Sequence, residues 1–167
     1  DAGTLKELID FTKPRWAWAQ VAEFIEKCPL PVIVKGIESA EDAVEAVNAG
    51  AVGVYVSNYG GRDIDRTLSA IEILPEVRGV VGPDFPIILD SGIRRGSDIA
   101  AAIALGANAV AVGRVVALGL AADGQLGVAS ALEILREEFW TTLGHLGCSN
   151  VEELGPHVFR QTFEMGK

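Results

Sequence analysis

The chain has 167 residues, 49% of them hydrophobic, and a formal net charge of -9, which suits one globular domain with a buried core. The acidic balance opposes a nucleic-acid-binding surface, and the sequence has neither a polybasic run that would attract anionic lipid nor an unbroken apolar stretch of the roughly 20 residues that span a membrane. Cys28 and Cys148 are too few for a disulfide framework or a metal site, so we expect a cytoplasmic protein that binds no metal, no nucleic acid and no membrane.

The first predicted helix lies before the first predicted strand. Thr12 and Pro14 introduce it, since a hydroxyl cap and a proline in the first turn are typical of helix starts. The helix extends to about residue 27. Its apolar spacing places Val21, Phe24 and Ile25 on the inner face.

Four short apolar segments follow, each rich in Val and Ile and each ending in a glycine or a polar residue. They are nearly continuous in apolarity, as expected of parallel strands covered on both faces. The predicted strands are 31–35, 52–57, 86–90 and 108–113. Because helical patterns separate them, the sequence predicts consecutive βαβ units.

Capping residues mark the later helices. A side-chain oxygen before an apolar-periodic run accepts a hydrogen bond from a free amide of the first turn. In chain order, the predicted helices are 40–49 after Ser39, one beginning near Arg66 after Asp65, and 98–105 after Ser97. A longer amphipathic helix is predicted over 127–143.

An internal repeat relates two of these units. Residues 42–58 align without a gap on 98–114, matching helix, glycine and strand, and a repeated unit of this kind builds a (β/α) barrel. We therefore predict one α/β domain of the (β/α)8 TIM-barrel type over 1–167. Within it we expect a leader at 1–13, βα units at 14–122 and C-terminal helices at 123–167.

Four strands are half of a closed barrel. A half-barrel exposes two sheet edges and an apolar inner face, so we expect a missing N-terminal half to cover them. The chain begins at Asp1, without an initiator Met or a signal segment, which also suits a fragment or a processed product. Pairing of two copies, and an isolated chain that is prone to aggregation, are the alternatives.

Basic residues collect at the ends of the predicted strands in a chain that is acidic elsewhere. They are Lys35, Arg62, Arg94, Arg95 and Arg114. Nearby glycines, within 90–96 and at 113, let backbone amides approach a phosphate closely, and arginine adds bidentate bonds. This pattern predicts a pocket for a small anion. The alternative is that the adjacent arginines pair with helix carboxylates such as Asp98.

Residues 57–65 read Ser-Asn-Tyr-Gly-Gly-Arg-Asp-Ile-Asp. This stretch resembles the Ser-Asn-His-Gly-Gly-Arg-Gln-Leu-Asp motif of the FMN-dependent α-hydroxy-acid oxidases and dehydrogenases, the glycolate oxidase and lactate dehydrogenase group. The resemblance continues, in order, through 30–37, 90–98, 104–109, 113–114, 119–122 and 146–149. The chain thus resembles the C-terminal half of that family's barrel.

The resemblance implies a role for each matching residue. Expected FMN-binding residues are Lys35 beside flavin N1 and O2, Ser57 as a flavin contact, Asp90 at the ribityl hydroxyls, and Gly92, Arg94, Gly113 and Arg114 at the phosphate. Arg62 is expected to bind the substrate carboxylate. The ordinary alternatives are a solvent-reaching lysine, a capping serine, and an arginine paired with Asp63 or Asp65.

Tyr59 stands where the family has its catalytic histidine. A phenol, with an ordinary pKa near 10, accepts a proton at neutral pH far less readily than imidazole, with a pKa near 6.5. We expect Tyr59 to donate a hydrogen bond rather than act as a base. His145 and His157 follow the last strand and are not expected to replace the missing histidine.

Three smaller departures from the family pattern are Asp63 for Gln, Ser91 for Gly and Val115 for Pro. Asp63 would place a negative charge beside the carboxylate site. Ser91 is small enough to be tolerated unless its backbone needs a positive φ.

The predicted function is FMN-dependent oxidation of the CH–OH group of small 2-hydroxy acids, with hydride passing to flavin N5, impaired by Tyr59. The alternatives are a non-catalytic FMN-binding half-barrel and a different phosphate-binding barrel enzyme, such as an isomerase or a nucleotide dehydrogenase.

Overall fold

The computed structural model describes residues 16–62 and 67–159. Thr12, Pro14, Asp63 and Asp65, and with them the predicted leader, lie outside the described residues. In chain order the elements are α1 (Trp18–Lys27), β1 (Ile33–Ile37), α2 (Ala40–Asn48), β2 (Gly53–Val56), α3 (Ala70–Val81), β3 (Ile87–Leu89), α4 (Gly96–Ala104), β4 (Ala109–Val110) and α5 (Arg114–Leu146). Two short 3₁₀ helices follow, at Val151–Glu153 and Pro156–Val158.

All four predicted strands are present and form one parallel sheet in the order β1-β2-β3-β4. Successive side chains of a strand point to opposite faces. Val54 and Val56 are fully buried on the face that packs against the helices. Tyr55, aligned with Lys35 on one side and Ile88 on the other, lies on the opposite face, which is only partly covered. One covered face and one open face are what half of a barrel presents.

The internal repeat is confirmed in backbone detail. Gly50 and Gly106 follow α2 and α4 with φ of 94° and 113°, a region that favours glycine. In both copies, the amide of the next residue donates to the carbonyl five residues earlier, at 3.0 Å. This is a Schellman motif, which ends a helix and turns the chain into the following strand.

Two predicted helix starts are wrong. Helix α4 begins at Gly96, before the predicted cap Ser97, because Asp98 accepts hydrogen bonds from the backbone amides of Arg94 and Arg95 at 2.9 and 3.0 Å. Helix α3, predicted to begin near Arg66, begins at Ala70. Its cap is Ser69, whose amide donates to the Glu72 carboxylate at 2.8 Å.

The first helix differs from its prediction on one face. Val21 and Ile25 are partly buried as expected, whereas Phe24 is 50% exposed. The Phe24 ring meets Trp16 edge-on, with the ring centroids 5.9 Å apart. The aromatic pair therefore lies outside the main core.

Helix α5 is a helical hairpin. Asp123 and Gly124 have non-helical backbone angles and divide its 33 residues into two arms. A Cβ on Gly119 would lie 2.5 Å from the carbonyl oxygen of Gly127, so the arms pack backbone to backbone. By length and composition alone α5 could cross a membrane, but the chain reversal breaks that span. The predicted helix 127–143 lies in the second arm, and the first arm was not predicted.

At the amino end of the sheet, Arg78 of α3 joins the segments that lead into β3 and β4. Its guanidinium donates to the carbonyls of Gly82, Pro83, Phe85 and Gly106 and to Oδ1 of Asn108, at 2.6 to 3.2 Å. These carbonyls would otherwise lack partners, so Arg78 stabilises the turns between elements.

Candidate functional site

A cleft of about 460 Å³ lies at the carboxyl end of the sheet. Parallel strands bring the loops that follow them to one edge, so residues distant in sequence converge there. Eight of the nine predicted site residues line the cleft: Lys35, Tyr59, Arg62, Asp90, Gly92, Arg94, Gly113 and Arg114. The prediction that these residues form one site is therefore consistent with the fold.

Ser57, the ninth residue, is fully buried and lies behind the cleft. Its Oγ lies 2.8 Å from Nζ of Lys35 and also accepts the amide of Tyr59 at 3.2 Å. The expected flavin contact of Ser57 remains a prediction, and the burial does not favour it. Ser57 instead supports the residues that face the cleft.

Lys35 and Asp90 form the central ion pair, with Nζ and Oδ2 2.8 Å apart. Partial burial raises the pKa of Asp90, but hydrogen bonds from Lys35, Ser57 and Ser91 outweigh that effect and hold the pKa below its usual value. The carboxylate is therefore ionised at neutral pH and can accept hydrogen bonds from a polar ligand.

Glycine and arginine shape the far side of the cleft. A Cβ added to Gly92 or Gly113 would meet nothing within 4 Å, so both backbones are open to a ligand. Gly113 also precedes the first turn of α5, whose free amides favour an anion. Arg94 and Arg114 add positive charge to the same lining. The arrangement suits a phosphate group.

The alternative that Arg94 and Arg95 pair with helix carboxylates holds for one of the two. Asp98 accepts from backbone amides rather than from a guanidinium. Arg95 does not line the cleft, and its guanidinium lies 3.7 Å from the Glu138 carboxylate. Arg94, in contrast, lines the cleft.

Ser91 has a positive φ, which the sequence alone could not show. Its φ is 69°, a left-handed value that costs a non-glycine residue of order 1 kcal/mol. In return, Oγ donates to Asp90 at 2.7 Å and accepts the Gly60 amide at 3.0 Å. The serine therefore joins the loops after β2 and β3 while keeping a strained backbone.

Tyr59 also has a left-handed backbone, with φ of 53°, and its side chain is partly exposed. The ring turns toward β1, where a Cβ on Gly36 would lie 2.5 Å from the hydroxyl oxygen. Nε of Arg62 donates to the carbonyl of Tyr59 at 3.0 Å. The two predicted catalytic residues are therefore held together, and the pairing of Arg62 with Asp63 or Asp65 falls outside the described residues.

Sequence reasoning missed Tyr55, which faces the open side of the sheet beside Lys35. Burial, and after it the charge of Asp90 and a hydrogen bond to it, raises the pKa of Tyr55. The available signal was strand alternation, because Tyr55 and Ser57 are two residues apart and share one face.

The model of the FMN-dependent dehydrogenase family matches residues 2–161. The chain belongs to this family. The family is defined by FMN, so the expected cofactor and oxidoreductase class are confirmed at the level of the family.

Three relatives show how much of this chain, and how much of each relative, the similarity covers. L-lactate oxidase of Lactobacillus jensenii is 46% identical over 86% of this chain and 35% of its own length. The peroxisomal (S)-2-hydroxyacid oxidase GLO3 of Arabidopsis thaliana is 42% identical over 83% of this chain and 38% of its own. The crystal structure of the monotopic membrane protein (S)-mandelate dehydrogenase superposes with a TM-score of 0.83 at 40% identity, covering 87% of this chain and 38% of that one.

These likenesses confirm the α/β barrel fold and show that the chain is a partial barrel. It spans between a third and a half of the length of the relatives it matches. The expected cytoplasmic location is not confirmed, since one relative is peroxisomal and another is a monotopic membrane protein.

Proposed function

We propose that the chain supplies the cofactor-binding half of an FMN-dependent oxidoreductase that acts on the CH–OH group of small 2-hydroxy acids. The observation that carries the proposal is one cleft that joins the Lys35–Asp90 pair, two open glycine backbones and the guanidinium groups at its rim. An anionic, hydroxyl-rich cofactor fits such a lining.

The residues fit FMN by charge and by space. Gly92, Arg94, Gly113 and Arg114 would hold the phosphate, because they combine accessible amides with positive charge. Asp90, ionised beside Lys35, would accept the ribityl hydroxyls. Bound there, the flavin would supply a two-electron acceptor.

Lys35 would face the polar edge of the flavin ring, as the family resemblance implies. Its ammonium is already held by Ser57 and Asp90, both at 2.8 Å. A fixed positive charge at that edge favours negative charge developing on the ring. Lys35 would therefore bind the cofactor and tune its reduction without exchanging a proton.

Arg62 would bind the substrate carboxylate with its planar guanidinium. Tyr59, anchored to Arg62 through its carbonyl, would donate a hydrogen bond to the substrate oxygen. A phenol takes up the hydroxyl proton less readily than an imidazole. We therefore expect slow oxidation, and we propose a non-catalytic FMN-binding protein as the second candidate because of Tyr59.

An N-terminal half-barrel is the proposed partner. The open sheet face carries Ile33, which is 43% exposed, and β1 and β4 are the two edges of the described sheet. A barrel of the relatives' kind would pair both edges. The division of the chain into leader, βα units and C-terminal helices, a second copy as partner, and a cytoplasmic location remain predictions.

The decisive experiment adds FMN to the purified chain, alone and with an N-terminal half-barrel taken from a relative. We expect the fluorescence of FMN to be quenched on binding, and slow bleaching of the bound flavin by lactate, glycolate or mandelate under anaerobic conditions. The proposal would be contradicted if the folded chain binds no FMN in either condition, alone or with the added half.

Bleaching by the unmodified chain separates the two candidates, and the substitution Tyr59→His tests whether the missing base limits the reaction. A restored base should accelerate bleaching by roughly 10²- to 10⁴-fold, with FMN affinity unchanged. Tyr59→Phe is the matched control, since it removes the hydroxyl and keeps the ring. If FMN binds and Tyr59→His remains inactive with the N-terminal half present, the missing histidine is not the reason for inactivity.

A further inference from the structure

Both tyrosines of the chain turn their rings toward one ammonium group. The sequence contains two tyrosines, Tyr55 and Tyr59. Nζ of Lys35 lies 4.2 Å from the ring centroid of the first and 5.0 Å from that of the second. A cation within about 6 Å of an aromatic face is attracted by the ring quadrupole. The ammonium therefore lies against two aromatic surfaces.

The strand register explains the closer ring. Lys35 and Tyr55 are direct partners across β1 and β2, so their side chains extend from the same face at adjacent positions. Tyr59 reaches the same ammonium from the loop after β2 and is partly exposed. The closer ring thus comes from a rigid strand and the farther one from a loop.

Tyr55 also meets the other member of the ion pair. Burial, and next the nearby Asp90 carboxylate, raises its pKa. The phenol therefore keeps its proton beside that carboxylate. Tyr55 thus contacts the ammonium through its ring and lies near the carboxylate that pairs with it.

We propose that Tyr55 is a positioning residue, which fixes the Lys35 ammonium at the cleft for an anionic ligand through its ring. A lysine side chain has four flexible methylenes and readily extends into solvent. The Lys35 side chain is 41% exposed even with its ammonium bonded to Asp90 and Ser57, so its methylenes keep room to move. The ring restricts that freedom. The positioning role of Tyr55 does not depend on the proposed function; only the identification of the ligand as FMN rests on it.

The first test needs no ligand. Protons held over an aromatic face experience ring-current shifts, so the ε-methylene signal of Lys35 should lie upfield of those of the four other lysines of the chain. A Lys35→Met variant identifies the signal. The upfield shift should persist in Tyr55→Phe, which keeps the ring, and fall to the smaller contribution of Tyr59 in Tyr55→Leu.

Ile88→Val is the matched control for packing. Ile88 is the register partner of Tyr55 on β3 and does not line the cleft. This variant should leave the Lys35 signal unchanged. Because the upfield shift is first measured in the unmodified chain, the test holds even if Tyr55→Leu does not fold.

The second test measures FMN affinity by fluorescence quenching. Loss of the ring in Tyr55→Leu should weaken binding roughly two- to fivefold, as the strength of an exposed cation–π contact implies. Tyr55→Phe should weaken it less, and Ile88→Val should not change it. If the unmodified chain binds no FMN either alone or with the N-terminal half-barrel, the proposed function fails, while the Lys35 signal still decides the role of Tyr55.

Three results would overturn the inference. One is a Lys35 signal in the unmodified chain that coincides with those of the other lysines. Another is a folded Tyr55→Leu variant with the unmodified signal. The third is an equal loss of FMN affinity in Tyr55→Phe and Tyr55→Leu, which would assign the effect to the hydroxyl instead of the ring.

Discussion

The two ends of the sheet are built differently. At the amino end, the guanidinium of Arg78 is directed at the backbone carbonyls of its own chain. At the carboxyl end, arginines and Lys35 border an open cleft, and left-handed backbone occurs at Tyr59 and Ser91. The same side-chain chemistry thus stabilises the fold at one end and remains available to a ligand at the other. In barrels of this type stability and function are divided in the same way.

The largest effect should come from the amino end. Replacing Arg78 with alanine leaves several carbonyls and the Asn108 side chain without donors. We expect the free energy of unfolding, measured in urea, to fall by about 3 kcal/mol. FMN affinity of the folded protein should not change, because the cleft lies at the other end of the sheet.

Arg136→Ala is the matched control for this prediction. Arg136 is an exposed arginine that pairs with Glu133 one turn earlier on the same helix. Its loss should leave the free energy of unfolding unchanged, because exposed pairs contribute little. A larger effect on FMN binding than on stability in Arg78→Ala would show that the two ends are coupled.

The next effect should come from the ion pair at the carboxyl end. Lys35→Met leaves Asp90 without its cation and should lower stability at pH 7 by roughly 1 kcal/mol, with a larger loss in FMN affinity. Lys27→Met removes a solvent-exposed pair with Glu23 and should change neither quantity. Unchanged FMN affinity in Lys35→Met would show that Lys35 does not contribute to FMN binding.

The pH dependence of the same variant sharpens the comparison. Hydrogen bonds hold the pKa of Asp90 below its usual value, despite the opposing effect of burial. Its contribution to stability is therefore present above about pH 4 and lost as the pH falls below that value. In Lys35→Met the loss on acidification should be smaller. Urea unfolding at pH 7 and pH 3 measures the difference.

The sequence predicted the regular parts of this molecule better than its loops. Apolar periodicity located all four strands, and the repeat placed Gly50 and Gly106 at equivalent helix ends, because both signals are local. Side-chain direction in the loops depends on tertiary contacts. For this reason the burial of Ser57 was not predicted. Tyr55 lies on a strand, and its position beside Lys35 depends on the register between β1 and β2, which apolar periodicity does not give.

Helix starts failed for a related reason. The amides before α4 are capped by Asp98 from within the helix, so the local pattern at Ser97 suggested a start that is two residues too late. The sign of φ at Ser91 likewise depends on the partners that its hydroxyl finds in two loops. Apolar periodicity detects neither the Asp98 cap nor the hydrogen-bond partners of Ser91.

Ser91 offers the smallest effect and the finest comparison. Ser91→Ala keeps the left-handed strain and loses both hydrogen bonds, whereas Ser91→Gly loses the bonds and relieves the strain. We expect the alanine variant to be less stable than the glycine variant by about 1 kcal/mol in urea unfolding. Equal stabilities would mean that the backbone at residue 91 leaves the left-handed region when the hydroxyl is lost. The serine bridge, rather than the loop, would then impose that conformation at the carboxyl end of the sheet.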